Sequence, residues 1–177
     1  MKSARYSRVW GAALSGILTC LSIGAADTAA NSTTVVSSHQ IGKSKADLSV
    51  NGGLSLYVKV NGETILFDTG DKDGSLLENL EELGLDTAQI DAVVFSHGQL
   101  DHINGELLDE LSATEANPKI YVPAAVVNEV LRLHPSANLF AVSKPTRVLP
   151  NAWLVGPMQL SVEDESVVEQ ALVLDQP

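Results

Sequence analysis

The stretch VVFSHGQLDHING, residues 93–105, carries the most informative pattern in the chain. It opens with a continuous apolar run, which is typical of a strand buried on both faces. Two histidines and an aspartate follow, at His97, Asp101 and His102. Imidazole nitrogen and carboxylate oxygen are the usual zinc ligands where no thiolate is present. The stretch therefore predicts a metal site in a loop after a strand. The alternative is a polar loop with two solvated histidines.

Strands and helices are predicted in alternation on both sides of this stretch. The dipeptide Asn61-Gly62 between two short apolar segments is a strong hairpin signal. The predicted elements are strands at 54–60 and 64–67, a helix at 76–83 ending at Gly84, a strand at 92–95, a helix around 107–111, a strand at 119–122, a helix at 124–133 and a strand at 169–174. This order predicts one α/β domain.

The N-terminal residues 1–30 have the features of a secretory signal peptide. Three basic residues precede an apolar run at 9–21, and small residues allow cleavage after Ala26 or Ala30. Cys20, the single cysteine, falls within this segment. We therefore predict a periplasmic or secreted protein that is not held at the membrane after cleavage.

The remaining chain divides into a short leader and one domain. Residues 31–38 are rich in Ser and Thr, so residues 31–47 are predicted to be a flexible leader. Residues 48–177 are predicted to form the domain. The formal net charge of −11 repels phosphate backbones and argues against nucleic acid as a partner.

Two motifs together resemble a known family. The turn Asp68-Thr69-Gly70, followed by residues 93–105, resembles the metallo-β-lactamase-fold hydrolases, whose motif is His-x-His-x-Asp-His followed by Gly. The Ser-His-Gly opening and the Glu-Gln-Ala-Leu segment at 169–172 most resemble a branch described as dihydropterin-ribofuranosylaminobenzene-phosphate synthase-like. The resemblance runs from about residue 51 to the end of the chain.

The resemblance implies a fold, a cofactor and a reaction. The fold would be the N-terminal part of an αββα sandwich, with one or two zinc ions, or manganese or iron. His97 and Gln99 would hold one metal, and Asp101 and His102 the other, with Asp101 as the catalytic residue. Asp68 would lie next to the ligands without binding the metal, and would orient the ligands or a bound water. A metal-bound hydroxide would attack an ester, amide or phosphoester of an unknown small-molecule substrate.

The sequence departs from the family pattern in two places. Gln99 stands where the family has its second histidine, and an amide oxygen is a weaker zinc ligand than imidazole. The family's later histidines have no counterpart, because His39 and His134 lie in other contexts and His134 is predicted at a helix end. We therefore expect a domain truncated relative to the family. Three outcomes are open for the incomplete sandwich: a homodimer that covers it, a smaller fold, or a truncated gene product.

Two other functions remain open from the residues. The first is a non-catalytic relative that acts as a binding module, because ancestry does not guarantee activity. The second is a retropepsin-like aspartic protease, because Asp68-Thr69-Gly70 also resembles the active-site turn of that class. The predicted helices do not suit such a protease, which is nearly all β.

Overall fold

The computed structural model describes residues 31–38, 46–50, 52–71, 75–162 and 165–175. The predicted signal peptide and His39 lie outside the described residues.

Three strands come first, strands and helices then alternate, and strands alone follow. The strands are β1 (Ser32–Ser37), β2 (Ser55–Val60), β3 (Glu63–Phe67), β4 (Ala92–Val94), β5 (Lys119–Pro123), β6 (Leu139–Val142), β7 (Thr146–Leu149), β8 (Ala152–Val162) and β9 (Glu165–Leu174). The helices are α1 (Ser75–Glu82), α2 (Gly105–Ala113) and α3 (Val127–Leu133), with a short 3-10 turn at Thr87–Gln89.

The β2–β3 hairpin turns at Asn61 and Gly62, as predicted. Both residues have positive φ, 50° and 86°, as a two-residue turn that matches the twist of its strands requires. Gly84 ends α1 with φ of 65°. These local signals were sufficient to place the β2–β3 hairpin and the end of α1.

The first sheet has six strands in the order β1-β2-β3-β4-β5-β6. The β1–β2 and β2–β3 pairs are antiparallel, and the pairs from β3 to β6 are parallel. Each parallel connection runs through one of the three helices. The carboxyl ends of β3 and β4 therefore lie side by side at one edge, which is where open α/β sheets place their sites.

Two apolar layers flank this sheet. On one face, the helices bury leucines against it, and these are Leu76, Leu80, Leu107, Leu108 and Leu111. On the other face, Val58, Ile65 and Val94 pack against Ala152 and Leu154 of the second sheet. The second sheet has three antiparallel strands in the order β7-β8-β9. The layers are helices, sheet and sheet, in agreement with the predicted part of an αββα sandwich.

The leader prediction is wrong for part of its length. Residues Ser32–Ser37 form β1, which pairs with β2 at the edge of the first sheet, and Val36 is buried in the core. The Ser/Thr content suggested a flexible segment, but the β-branched residues of this segment favour a strand. Two other predictions need smaller corrections, because α3 begins at Val127 and β9 begins at Glu165.

The outer face of the second sheet exposes apolar side chains. They are Trp153, Val155, Met158, Leu160 and Val173, each 40–46% exposed. The predicted homodimer would cover this face, and it stays a prediction. Within the described residues, every helix is too short or too polar to cross a membrane.

Candidate metal centre

The Asp68 turn and the histidine loop meet at the carboxyl ends of β3 and β4. Asp68 follows β3 directly and has φ of 55°, a left-handed conformation that Asp adopts more readily than most residues. Its N–H donates to the carbonyl of Val94 at 2.8 Å. The β4 strand continues from Val94 into the loop that carries His97, Asp101 and His102.

The Asp68 carboxylate is fully buried and organises this loop. Its Oδ1 accepts from the N–H of Ser96 at 2.6 Å. Its Oδ2 accepts from the Ser96 hydroxyl at 2.6 Å and lies 2.8 Å from Nδ1 of His102. These three contacts join the Asp68 carboxylate to the histidine loop, so Asp68 does more than form the turn after β3. The structure thus places Asp68 beside His102 and, through the Ser96 hydroxyl, near His97.

The hydrogen bonds also determine which nitrogen of each imidazole carries a proton. A carboxylate can only accept, so the Ser96 hydroxyl donates its proton to Asp68. Nδ1 of His97 lies 2.8 Å from the same hydroxyl and must therefore donate to it. Nδ1 of His102 donates to Asp68 in the same way. Both Nε2 atoms are left with a free lone pair in the neutral rings, as metal-ligating histidines require.

The two histidines lie close to the Asp101 carboxylate. Atoms of His97, Asp101 and His102 that can bind a metal all lie within 4.8 Å of one another. Nε2 of His97 also faces Oε1 of Gln99 at 2.9 Å. With the His97 proton on Nδ1, two acceptors face each other there, an arrangement that a cation between them would stabilise. Two nitrogens, a carboxylate and an amide oxygen form a donor set that fits a divalent ion.

The pKa of His102 is raised above its ordinary value. Burial lowers this pKa, but the hydrogen bond to Asp68 and the negative charges of Asp68, Asp101 and Glu169 outweigh it. The surroundings of His102 therefore favour positive charge at this position, from a proton or from a metal ion.

Further hydrogen bonds tie the Asp-Thr-Gly turn to the histidine loop. The N–H and the hydroxyl of Thr69 both donate to the carbonyl of His102, each at 3.0 Å. The Thr69 hydroxyl accepts from the N–H of Asn104 at 2.6 Å. Asn104 also caps α2 through its side chain, which accepts from the N–H of Leu107. The loop is therefore held at both ends, by β4 and by α2.

His134 lies outside this cluster. It follows α3, and its N–H donates to the carbonyl of Val130 at 2.8 Å. Its Nδ1 lies 3.0 Å from Oδ1 of Asp109 on α2. The prediction of a helix-end histidine is thus confirmed, and His134 is not a ligand in this arrangement.

Sequence reasoning missed three residues that shape the site. Ser96 fixes the His97 proton, Asn104 caps α2, and Gln170 reaches the loop from β9. An Asn directly before a helix is a recognised capping signal, so Asn104 could have been found. Ser96 and Gln170 belong to the two segments that resemble a family branch, but that resemblance did not indicate their contacts.

Comparison with known protein families shows which superfamily the chain belongs to. The family model for the beta-lactamase superfamily domain matches residues 63–153, about half of the chain. The chain belongs to the beta-lactamase superfamily. The matched region includes Asp68 and the whole histidine loop. No curated protein matches the sequence significantly.

Solved structures of this superfamily share the fold. A metal-dependent hydrolase of the beta-lactamase superfamily superposes with a TM-score of 0.56 at 24% identity, over 80% of this chain and 60% of that one. YhfI from Bacillus subtilis, a metallo-beta-lactamase fold protein, has a TM-score of 0.55 at 16% identity, over 80% and 56%. A diphosphatase of the PhnP family has 0.52 at 21%, over 67% and 48%. The chain thus spans less than two thirds of the length of each of these relatives. The predicted family and fold class are confirmed.

Proposed function

We propose that the protein is a metal-dependent hydrolase of the metallo-β-lactamase superfamily. The observation that carries the proposal is the hydrogen-bond network of Asp68. Directly and through Ser96, it occupies Nδ1 of both histidines, so that Nε2 is the nitrogen of each neutral ring that an ion can take, with Asp101 close by.

Each residue of the centre has a separate role in this proposal. His97, Asp101 and His102 hold the ion, and Gln99 adds its amide oxygen as a weaker ligand. Asp68 keeps the two imidazoles in place and in the required proton state. When bound, a divalent ion lowers the pKa of a coordinated water, so that hydrolysis can run near neutral pH. Zinc suits the nitrogen ligands, and manganese or iron suits the added amide oxygen.

The metal assignment is tested by titrating the purified, chelator-treated protein with Zn²⁺, Mn²⁺ and Fe²⁺. We expect one or two ions to bind in the wild type, and expect His97→Ala and His102→Ala to lose at least one of them. His134→Ala is the matched control, because His134 lies outside the cluster. Equal binding in all three variants would refute the assignment.

Hydrolysis is tested separately on the metal-loaded protein. Suitable probes are p-nitrophenyl esters, an anilide and bis-p-nitrophenyl phosphate, since the reaction class is an ester, amide or phosphoester. We expect turnover of at least one probe, abolished in Asp101→Asn. Phosphodiesters deserve inclusion because one structural relative is a diphosphatase, although that likeness concerns the fold.

A second candidate function is a metal-binding module without turnover. Gln99 favours it, because its amide oxygen lies against His97 where the family motif has a histidine. Metal binding without hydrolysis of any probe would support this module. The aspartic-protease alternative has less support, because Asp68 is 0% exposed and bonded to Ser96 and His102.

A further inference from the structure

Gln170 joins the second sheet to the base of the metal-binding loop. It lies on β9 and is only 3% exposed. Its N–H donates to the carbonyl of Ser96 at 2.8 Å, and its side-chain Nε2 donates to the carbonyl of Phe95 at 2.7 Å. Phe95 and Ser96 are the two residues between β4 and His97.

An irregularity in β8 makes these contacts available. The pairing of β8 with β9 shifts register between Val155 and Met158, opposite Gln170. A bulge of this kind leaves a residue unpaired in its own sheet and is common beside functional sites. The N–H of Gln170 is therefore directed to Ser96 in place of a β8 partner. Gly156 lies against Gln170 at the bulge, where a Cβ would come within 3.0 Å of the Gln170 Cα.

The contacts act on a residue that controls both histidines. Ser96 donates its N–H and its hydroxyl to Asp68, and its hydroxyl accepts from Nδ1 of His97. A displacement of the Phe95-Ser96 backbone would therefore lengthen hydrogen bonds to both Asp68 and His97. His102 would be affected through Asp68, to which its Nδ1 is bonded.

The Gln170 side chain uses only its donor. Its Oε1 is buried and has no hydrogen-bond partner among the described residues. A buried acceptor without a partner reduces stability, so this amide is not an optimal residue for core packing. What it supplies is a hydrogen bond to Phe95, the first residue after β4 on the way into the loop.

We propose that Gln170 is a positioning residue of the metal centre. Its side-chain amide holds Phe95 and its main-chain N–H holds Ser96, so that Asp68 and His97 keep the geometry that a metal ion requires. The proposal rests on the proposed metal-dependent function. It goes beyond it by assigning a role to β9, which contributes none of the candidate ligands.

The test compares Gln170→Met with the wild type, using the full chain. Methionine has a similar length and shape but cannot donate to Phe95. Gln159→Met is the matched control, since Gln159 is exposed on β8 and its side chain donates to Ser166 within the hairpin. The probe is Co²⁺, whose visible absorption reports its coordination. Amide hydrogen exchange of Ser96 in chelator gives a readout that does not depend on metal.

In Gln170→Met we expect a thermal midpoint in chelator within a few degrees of the wild type. We expect exchange of the Ser96 amide to be at least about tenfold faster, and Co²⁺ affinity to be about 10–100-fold lower with an altered spectrum. Gln159→Met should match the wild type in all three measurements.

Two results would overturn the proposal. One is unchanged Ser96 exchange and Co²⁺ affinity in Gln170→Met. The other is an even loss of protection across all strands, which indicates a general stabilising role. If Gln170→Met does not fold, Gln170→Leu replaces it, and failure of both also overturns the proposal. A different result is a wild type that binds no Co²⁺ while Ser96 exchange is still faster in Gln170→Met. That result would refute the proposed function but would still show that Gln170 positions Ser96.

Discussion

Gln99 and Asp68 have opposite effects on the candidate centre. Asp68 is buried, accepts hydrogen bonds from Ser96 and His102, and thereby leaves the imidazole lone pairs free for an ion. Gln99 is exposed and offers an uncharged oxygen 2.9 Å from one of those lone pairs. The centre therefore combines strongly oriented histidines with one weak neighbouring ligand. Its metal preference should depend mainly on Gln99.

Replacing Gln99 by histidine should strengthen zinc binding. Imidazole is a better zinc ligand than an amide oxygen, so we expect Gln99→His to raise Zn²⁺ affinity on the order of tenfold, ~1.4 kcal/mol. Competition with a chromophoric chelator measures the change. Gln89→His is the control, because it adds an exposed histidine at the 3-10 turn, away from the cluster. An equal gain in both variants, or none in Gln99→His, would show that residue 99 is not a ligand.

The candidate ligands could be predicted from the sequence because they lie within six residues of one another, in a motif that follows a buried strand. Their supports could not be predicted in this way. Gln170 is 75 residues from its partner Phe95, and Asp68 is 34 residues from His102. No local pattern reports such contacts, although the family motif pointed to Asp68.

At the level of elements, the loop before β2 supports the histidine loop from outside. Gly53 has φ of 79°, and a Cβ added there would overlap the main-chain carbonyl of Asp101. This close approach places the backbone of residues 52–53 directly against the segment that carries a candidate ligand. Position 53 requires a glycine because its φ is positive and because a Cβ would overlap the Asp101 carbonyl.

Gly53→Ala should therefore disturb both stability and metal binding. Gly62→Ala is the matched control, because Gly62 has φ of 86° but nothing within 4 Å of an added Cβ. We expect Gly62→Ala to cost about 1–2 kcal/mol from conformation alone. Gly53→Ala should cost about 1–3 kcal/mol more, from the overlap. Urea unfolding measures both costs, and a metal titration should show weaker binding in Gly53→Ala only. Equal costs in the two variants would contradict the close contact.

Glu63, at the start of β3, should make stability depend on pH. Burial raises the pKa of Glu63, the charge of Asp91 raises it further, and Arg147 partly offsets both. The folded state thus favours the protonated form. This contribution to stability is full below the pKa of the unfolded chain, about 4.3, and is lost as pH rises through the raised folded pKa.

Glu63→Gln should consequently be more stable than the wild type at pH 7, with a difference that shrinks as pH falls towards 4. Urea unfolding at a series of pH values measures this. Glu82→Gln provides the control, since Glu82 is exposed on α1. A stability difference that does not vary with pH, or that grows at low pH, would contradict the prediction.

Strands and helices marked by a pattern in their own sequence were predictable. Strands that form only because another strand is there to pair with were not. The β2–β3 hairpin follows from Asn61-Gly62, and α1 from leucine spacing that ends at Gly84. β1 was missed because its Ser/Thr-rich sequence is ambiguous until β2 offers an edge to pair with. The long β8–β9 hairpin was only partly predicted, because Pro157 lies inside β8 at a bulge, where a proline is tolerated.

At the scale of the whole molecule, the metal centre joins parts of the fold that are distant in sequence. Asp68 follows β3, the ligands follow β4, and Gln170 comes from the second sheet. In the unfolded chain Asp68 and Gln170 are separated from the histidine loop, so a complete centre exists only in the folded state. A ligand that binds only the folded state stabilises it by mass action.

Metal should therefore raise the thermal stability of the whole domain. At a free ion concentration 100 times the dissociation constant, the free energy of unfolding should rise by about 2.7 kcal/mol. For a domain of this size that corresponds to roughly 5–10 °C in the unfolding midpoint. Calorimetry with and without Zn²⁺ measures the shift, which excess chelator should reverse. In a His97→Ala/His102→Ala double variant the midpoint should not respond to Zn²⁺, whereas His134→Ala should respond as the wild type does. A rise of equal size in the double variant would show that the ion stabilises the fold from another place.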